Sequence, residues 1–116
     1  MPFQLVWSNE ATNQYNTLRD NAQASVQARK ADRKKKATRA EGLFKQVTGC
    51  IQKLRNDPRH PGLKTHKYDS IEHPYDRSQP VFEAYVQNQT PGAFRLFWCY
   101  GRVKGEITII AITPHP

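Results

Sequence analysis

The sequence predicts an α+β fold in which one strand and a two-helix hairpin precede a three- to four-stranded antiparallel sheet. Three observations lead there. One apolar stripe at helical spacing runs through residues 11–26, and a second runs through 43–54. The last third of the chain is a succession of β-rich runs broken by glycine and proline turns. At 116 residues the chain has the length of one domain, 1–116, and such a domain buries roughly two-thirds of its unfolded surface.

Residues 3–7, FQLVW, favour β structure and end at Ser8, an N-cap candidate with Asn9 and Glu10 behind it. Apolar or aromatic side chains then recur at Ala11, Tyr15, Leu18, Ala22 and Val26, with no glycine or proline before Gly42. Beyond Val26 the stripe fades into ARKADRKKKATRAEG, rich in helix formers but with nothing apolar to bury. A projecting helix end or a connector is expected there. Leu43, Val47, Cys50, Ile51 and Leu54 form the second stripe, with Phe44 at its edge. Asp57-Pro58 stops it, because proline disfavours helical backbone in the residue before it. Residues 58–80 hold four prolines and three histidines and read as a loop with one short strand near Leu63–Tyr68. Strand signals follow at 81–87, 93–100 and 106–113, separated by the turn-forming NQTPG and GRVKG. The last of them, EITIIAIT, reads as a central strand.

The chain carries 18 Lys and Arg against 10 Asp and Glu, a net charge of +8. Arg29, Lys30, Arg33, Lys34, Lys35, Lys36 and Arg39 stand with a single acid, Asp32, so six of the eight net charges occupy residues 29–39. Such a run is either a solvated helix extension or an electrostatic patch for nucleic acid. If all six net charges met single-stranded phosphates, affinity would fall with salt at a log–log slope of about −4. Cys50 and Cys99 lie far apart in apolar surroundings, which suits buried free thiols. The opening MPFQLVWSNE lacks a basic leader segment, and the longest apolar run, 107–113, is far short of the ~20 residues of a membrane span. A cytoplasmic protein without a membrane partner is the expectation. No metal and no cofactor is expected either. His60, His66 and His73 lack ligand partners at metal spacing, and no phosphate-loop, nucleophile-elbow or dinucleotide motif occurs.

The strand pair around TPGAFRLFWCYG and the closing ITIIAITPHP, in this element order, resemble the RelE/ParE superfamily of bacterial toxin–antitoxin systems. The resemblance covers residues 43–116 by motif and 3–26 by pattern. It implies a RelE-like mRNA endonuclease that works on the ribosome without metal and is neutralised by a cognate antitoxin. The chemistry would be attack of the RNA's own 2′-OH on the neighbouring phosphate, giving a 2′,3′-cyclic phosphate. That reaction needs a base for the hydroxyl, cations for the phosphate and an acid for the leaving 5′-oxygen.

Alternation puts Arg95, Phe97 and Cys99 on one strand face and Phe94, Leu96, Trp98 and Tyr100 on the other. An arginine in so apolar a strand must face an open surface or a partner, and its planar fork suits a phosphate. Pairing with Glu83 is the alternative. His115 ends the apolar strand where the resemblance implies a general acid, and imidazole exchanges protons near neutral pH. A disordered chain end is the alternative. Lys64, His66 and Tyr68 would share a face if 63–68 were a strand, with Lys67 adding charge; the row would line an RNA cleft or guard a sheet edge. Glu83 and His66 are the two candidate bases, and Tyr85 is a candidate stacking platform. Arg102 and Lys104 are turn cations, for substrate or for plain solvation. Phe94, Phe97, Trp98 and Tyr100 read as core. Pro116 stands where the family often carries an aromatic or basic residue after its histidine. Two other functions stay open on the sequence: ParE-like inhibition of DNA gyrase without ribonuclease activity, and non-catalytic RNA or ribosome binding.

Overall fold

The computed structural model describes residues 2–88 and 90–115, so Pro116 lies outside the described residues. Strand β1 (Gln4–Trp7) leads into helix α1 (Asn9–Ala31), a connector, helix α2 (Arg39–Asn56) and a 3-10 turn (Pro61–Leu63). Strands β2 (His66–Lys67), β3 (Phe82–Tyr85), β4 (Phe94–Tyr100) and β5 (Glu106–Pro114) follow. They form one sheet in the order β1-β5-β4-β3-β2. The α+β class stands, but the sheet has five strands and is mixed. The added strand is β1, which lies parallel to β5 with Gln4 opposite Glu106 and Trp7 opposite Ile109. From that edge Phe3, Leu5 and Trp7 pack on the core. The strand expected over 63–68 shrinks to two residues, because the 3-10 turn occupies its start and Lys64 is left-handed at φ 49°.

Both helices lie on one face of the sheet. Ala11 of α1 and Val47, Cys50 and Leu54 of α2 meet Ala84, Leu96, Trp98, Ile107, Ile109 and Ile112 in a buried core. Ser8 caps α1 by accepting from the Ala11 N–H at 2.9 Å, and its hydroxyl donates to the Ile110 carbonyl at 2.6 Å. Gln14 Oε1 accepts from the Ile112 N–H at 2.7 Å, so α1 runs alongside β5 in the same direction. The residues after Gln14 carry the helix about 25 Å further at 1.5 Å per residue. The basic connector therefore projects past the end of the sheet where β5 stops, and the molecule is 52 Å long. No described helix is long and apolar enough to cross a membrane.

One irregularity positions the site. β4 pairs Phe97 with Ala111 and then Trp98 with Ile109, leaving Ile110 without an opposite number. A bulge of this kind inverts the alternation beyond it. Ile107 and Ile109 face the helices and so does Ile112. Thr113, opposite Arg95, and the residues of its parity face the other way.

Candidate active site

The open face of the sheet collects its polar residues by register. His66 is opposite Glu83, Glu83 is opposite Phe97, and Tyr85 is opposite Arg95. His115 reaches the same face through the bulge, and its N–H donates to the Ala93 carbonyl at 2.8 Å, which holds the strand end down. At the centre Glu83 is buried. His66 Nε2 lies 2.6 Å from Glu83 Oε1, and His115 Nδ1 lies 2.6 Å from Glu83 Oε2. Arg95 Nε stands 4.0 Å from Oε2, an ion-pair distance without a hydrogen bond. Arg95 Nη1 donates to the carbonyls of Gln87 at 2.6 Å and Phe94 at 3.2 Å, and the guanidinium lies 3.8 Å from the centre of the Tyr85 ring. Lys64 Nζ approaches the same ring at 5.9 Å, and the His66 ring meets it edge-on at 5.8 Å.

One anion is thus shared by three cation-capable groups, which is how a buried carboxylate is tolerated. The accessible groups are the imidazoles. Each histidine side chain is 47% exposed, against 2% for that of Glu83. His66 Nδ1 lies 3.2 Å from the Lys64 carbonyl oxygen, which the left-handed turn presents to it. His115 Nε2 has no partner among the described residues. Among those residues no group of three or more His, Cys, Asp or Glu side chains could hold a metal ion.

Other residues singled out in the sequence lie elsewhere. Lys67 is opposite Phe82, a core-side residue, and so points to the helical face, away from His66. Arg102 and Lys104 sit in the turn beyond Tyr100, at the far end of β4 from Arg95. Arg102 Nε donates to Glu106 at 3.2 Å, and that bond pushes the guanidinium above its ordinary value. In the basic run Arg29 is not free, because it pairs with Glu41. Hydrogen bonds from Arg29 first and Ser25 second hold the Glu41 carboxyl down at about 2. Lys30, Arg33, Lys34, Lys35, Lys36 and Arg39 are exposed. Phe97 and Trp98 are core, whereas Tyr100 is exposed. Both cysteines are buried and free, and burial pushes Cys50 up to about 12 and Cys99 up to about 11.

Two residues with positioning roles went unread in the sequence. Gln87 holds Arg95 through its carbonyl and accepts from the Phe94 N–H at 3.1 Å through its side chain. Nothing in VFEAYVQ signals that. Glu41, in contrast, was readable: Thr38-x-x-Glu41 has capping-box spacing, and Glu41 Oε2 accepts from the Thr38 N–H at 3.3 Å.

No family model matches the chain, and no curated protein matches it. Solved structures match in shape. The YoeB/ParE toxin from Agrobacterium tumefaciens aligns with a TM-score of 0.59 over 97% of this chain and 99% of its own, at 12% identity. The YoeB dimer structure from Staphylococcus aureus gives 0.56 over the whole of both chains at 14% identity. The archaeal RelE-RelB complex from Pyrococcus horikoshii OT3 gives 0.56 over 98% of this chain and 96% of the other, at 11% identity. Helical hairpin, mixed sheet and closing strand are the fold that this chain shares with these YoeB/ParE and RelE structures.

Proposed function

We propose that the protein is a toxin-like endoribonuclease that cleaves mRNA on the ribosome without metal and is neutralised by a cognate antitoxin. The supporting observation is the convergence of His66, Glu83, Arg95 and His115, from three strands and the end of a fourth, on the face that the helices leave open. Two half-exposed imidazoles can serve as proton donor and proton acceptor, while Arg95 and Lys64 add positive charge where the phosphate would sit. Tyr85, backed by the Arg95 guanidinium, offers a platform for a base. The exposed cations of 29–39 lie beyond the same end of the sheet as His115, so they would draw the RNA backbone toward the cluster. The nearby Pyrococcus structure is a complex of RelE with RelB. An acidic or amphipathic antitoxin segment laid over the basic tip and the cluster would silence both. Residues 1–116 are read as one domain around this sheet.

Induced expression of wild type, His115→Ala and Arg95→Ala tests the reading. Wild type is expected to arrest growth and leave in-frame mRNA cuts by primer extension, and each substitution to lower cleavage about 10²-fold or more. Arrest that survives both substitutions and comes with DNA damage would favour gyrase as the target. No arrest, with tight RNA binding, would leave a non-catalytic binder.

A further inference from the structure

We infer that Glu83 is a shared anchor and not the base: it fixes His115 as the neutral base and His66 as the charged acid of the cleavage step. This rests on the ribonuclease reading above and inverts the role that the sequence suggested for His115.

The argument is one of hydrogen-bond partners. Both Glu83 oxygens already accept at 2.6 Å and the side chain is buried, so a substrate hydroxyl meets the carboxylate only by expelling an imidazole. A neutral imidazole has one donor and one acceptor nitrogen. His115 Nδ1–H donates to Oε2, which leaves a lone pair on the half-exposed Nε2. His66 differs. Its Nε2 faces Glu83 Oε1 and its Nδ1 faces the Lys64 carbonyl, both acceptors only, so both nitrogens carry hydrogen and the ring is an imidazolium. The surrounding charges agree. Arg95 from β4 and Lys64 ahead of β2 already face the cluster, with the Tyr85 phenol between them, so a second imidazolium would add a like charge.

The step then balances. His115 Nε2 takes the 2′-OH proton as the oxygen's electron pair forms the O2′–P bond. The P–O5′ bond breaks with its pair going to O5′, and O5′ takes the Nδ1 proton of His66, which gives up its long 3.2 Å contact with the Lys64 carbonyl. The products are a 2′,3′-cyclic phosphate and a 5′-hydroxyl, and proton exchange with water resets the pair. His66 Nε2–H stays on Glu83 throughout.

Two measurements test this on the full chain. Two-bond ¹H–¹⁵N correlation of the imidazoles at neutral pH is expected to show His115 as the neutral Nδ1–H tautomer and His66 doubly protonated. The reverse pattern overturns the assignment. Glu83→Gln keeps the shape and removes the charge, and should abolish the doubly protonated His66 signature; an unchanged His66 overturns the anchor. The second measurement uses RNA with sulfur at the bridging 5′ position, which leaves without being protonated. His66→Ala should lose about 10²-fold or more on ordinary RNA and recover on the sulfur substrate, whereas His115→Ala should lose on both. Recovery in His115→Ala instead would overturn the roles. Wild type that cleaves neither RNA overturns the ribonuclease reading and the roles with it, an outcome distinct from a reversed imidazole pattern.

Discussion

The connector between α1 and α2 and the cluster around Glu83 treat positive charge in opposite ways. Seven basic side chains crowd residues 29–39, yet one, Arg29, has an ion-pair partner, and the others stand in water. Around Glu83 three cation-capable groups share one buried carboxylate, and every distance between them is set by strand register. Exposed pairs are worth ~0–1 kcal/mol and are screened by salt, whereas breaking a buried pair strands an uncompensated charge. The connector therefore supplies a long-range field whose strength depends on how many charges it has. The properties of the cluster depend instead on where each charge is.

The sharpest way to break the contrast is Glu83→Ala. It leaves two imidazoles and a guanidinium facing one another, and should cost about 3–5 kcal/mol in urea unfolding. A loss under ~1 kcal/mol would mean that the cluster behaves like a surface pair. Arg95→Ala comes next. It abandons the carbonyls of Gln87 and Phe94, and a charged hydrogen bond of this kind contributes about 1.5–3 kcal/mol, readable as a lower thermal midpoint.

A smaller effect belongs to the one firm pair at the base of the connector. Glu41 has a carboxyl lowered from 4.5 to about 2 in the folded chain, so its stabilisation is complete above 4.5 and is lost as pH falls toward 2. Wild type should lose stability across that window more steeply than Glu41→Gln. Equal slopes would show that the pair contributes nothing. The smallest effect on the fold is expected from replacing Lys34, Lys35 and Lys36 together by alanine. Stability should move by no more than ~0.5 kcal/mol. With Arg29 engaged by Glu41, RNA affinity in the wild type should fall with salt at a slope of about −3.5, and the triple variant should be about 2 units shallower.

The helices and the three long strands were legible because their signals are local. Ser8 caps where the spacing put a cap, α2 stops at Asn56 before Asp57-Pro58, and the alternation of β4 separates Arg95 from Leu96 as written. The same period of two puts Glu83 and Tyr85 on one face of their strand, and the register then brings Arg95 to that face. The rest depended on contacts between distant residues. The parallel pairing of β1 with β5 joins the two ends of the chain, and no periodicity encodes it. His115 reaches a carboxylate 32 residues earlier in the sequence, and His66 reaches the same group from the other side. Simple alternation from Ile107 and Ile109 would even have sent His115 under the helices. Lys67, Arg102 and Lys104 entered the candidate set on charge alone, and charge says nothing about which face or which end of a strand a residue occupies.

The unopposed Ile110 sets the phase of everything that follows it. Deleting that one residue would leave composition, charge and all four residues of the cluster in the chain, yet it would turn His115 beneath α1 and empty one side of Glu83. The carbonyl of Ile110 is also the one that Ser8 holds with the hydroxyl that caps α1. Helix start and strand phase thus hang on a single oxygen. Any change that pulls on the start of α1 therefore pulls on the Ile110 carbonyl at the bulge, the point from which the phase of His115 is counted.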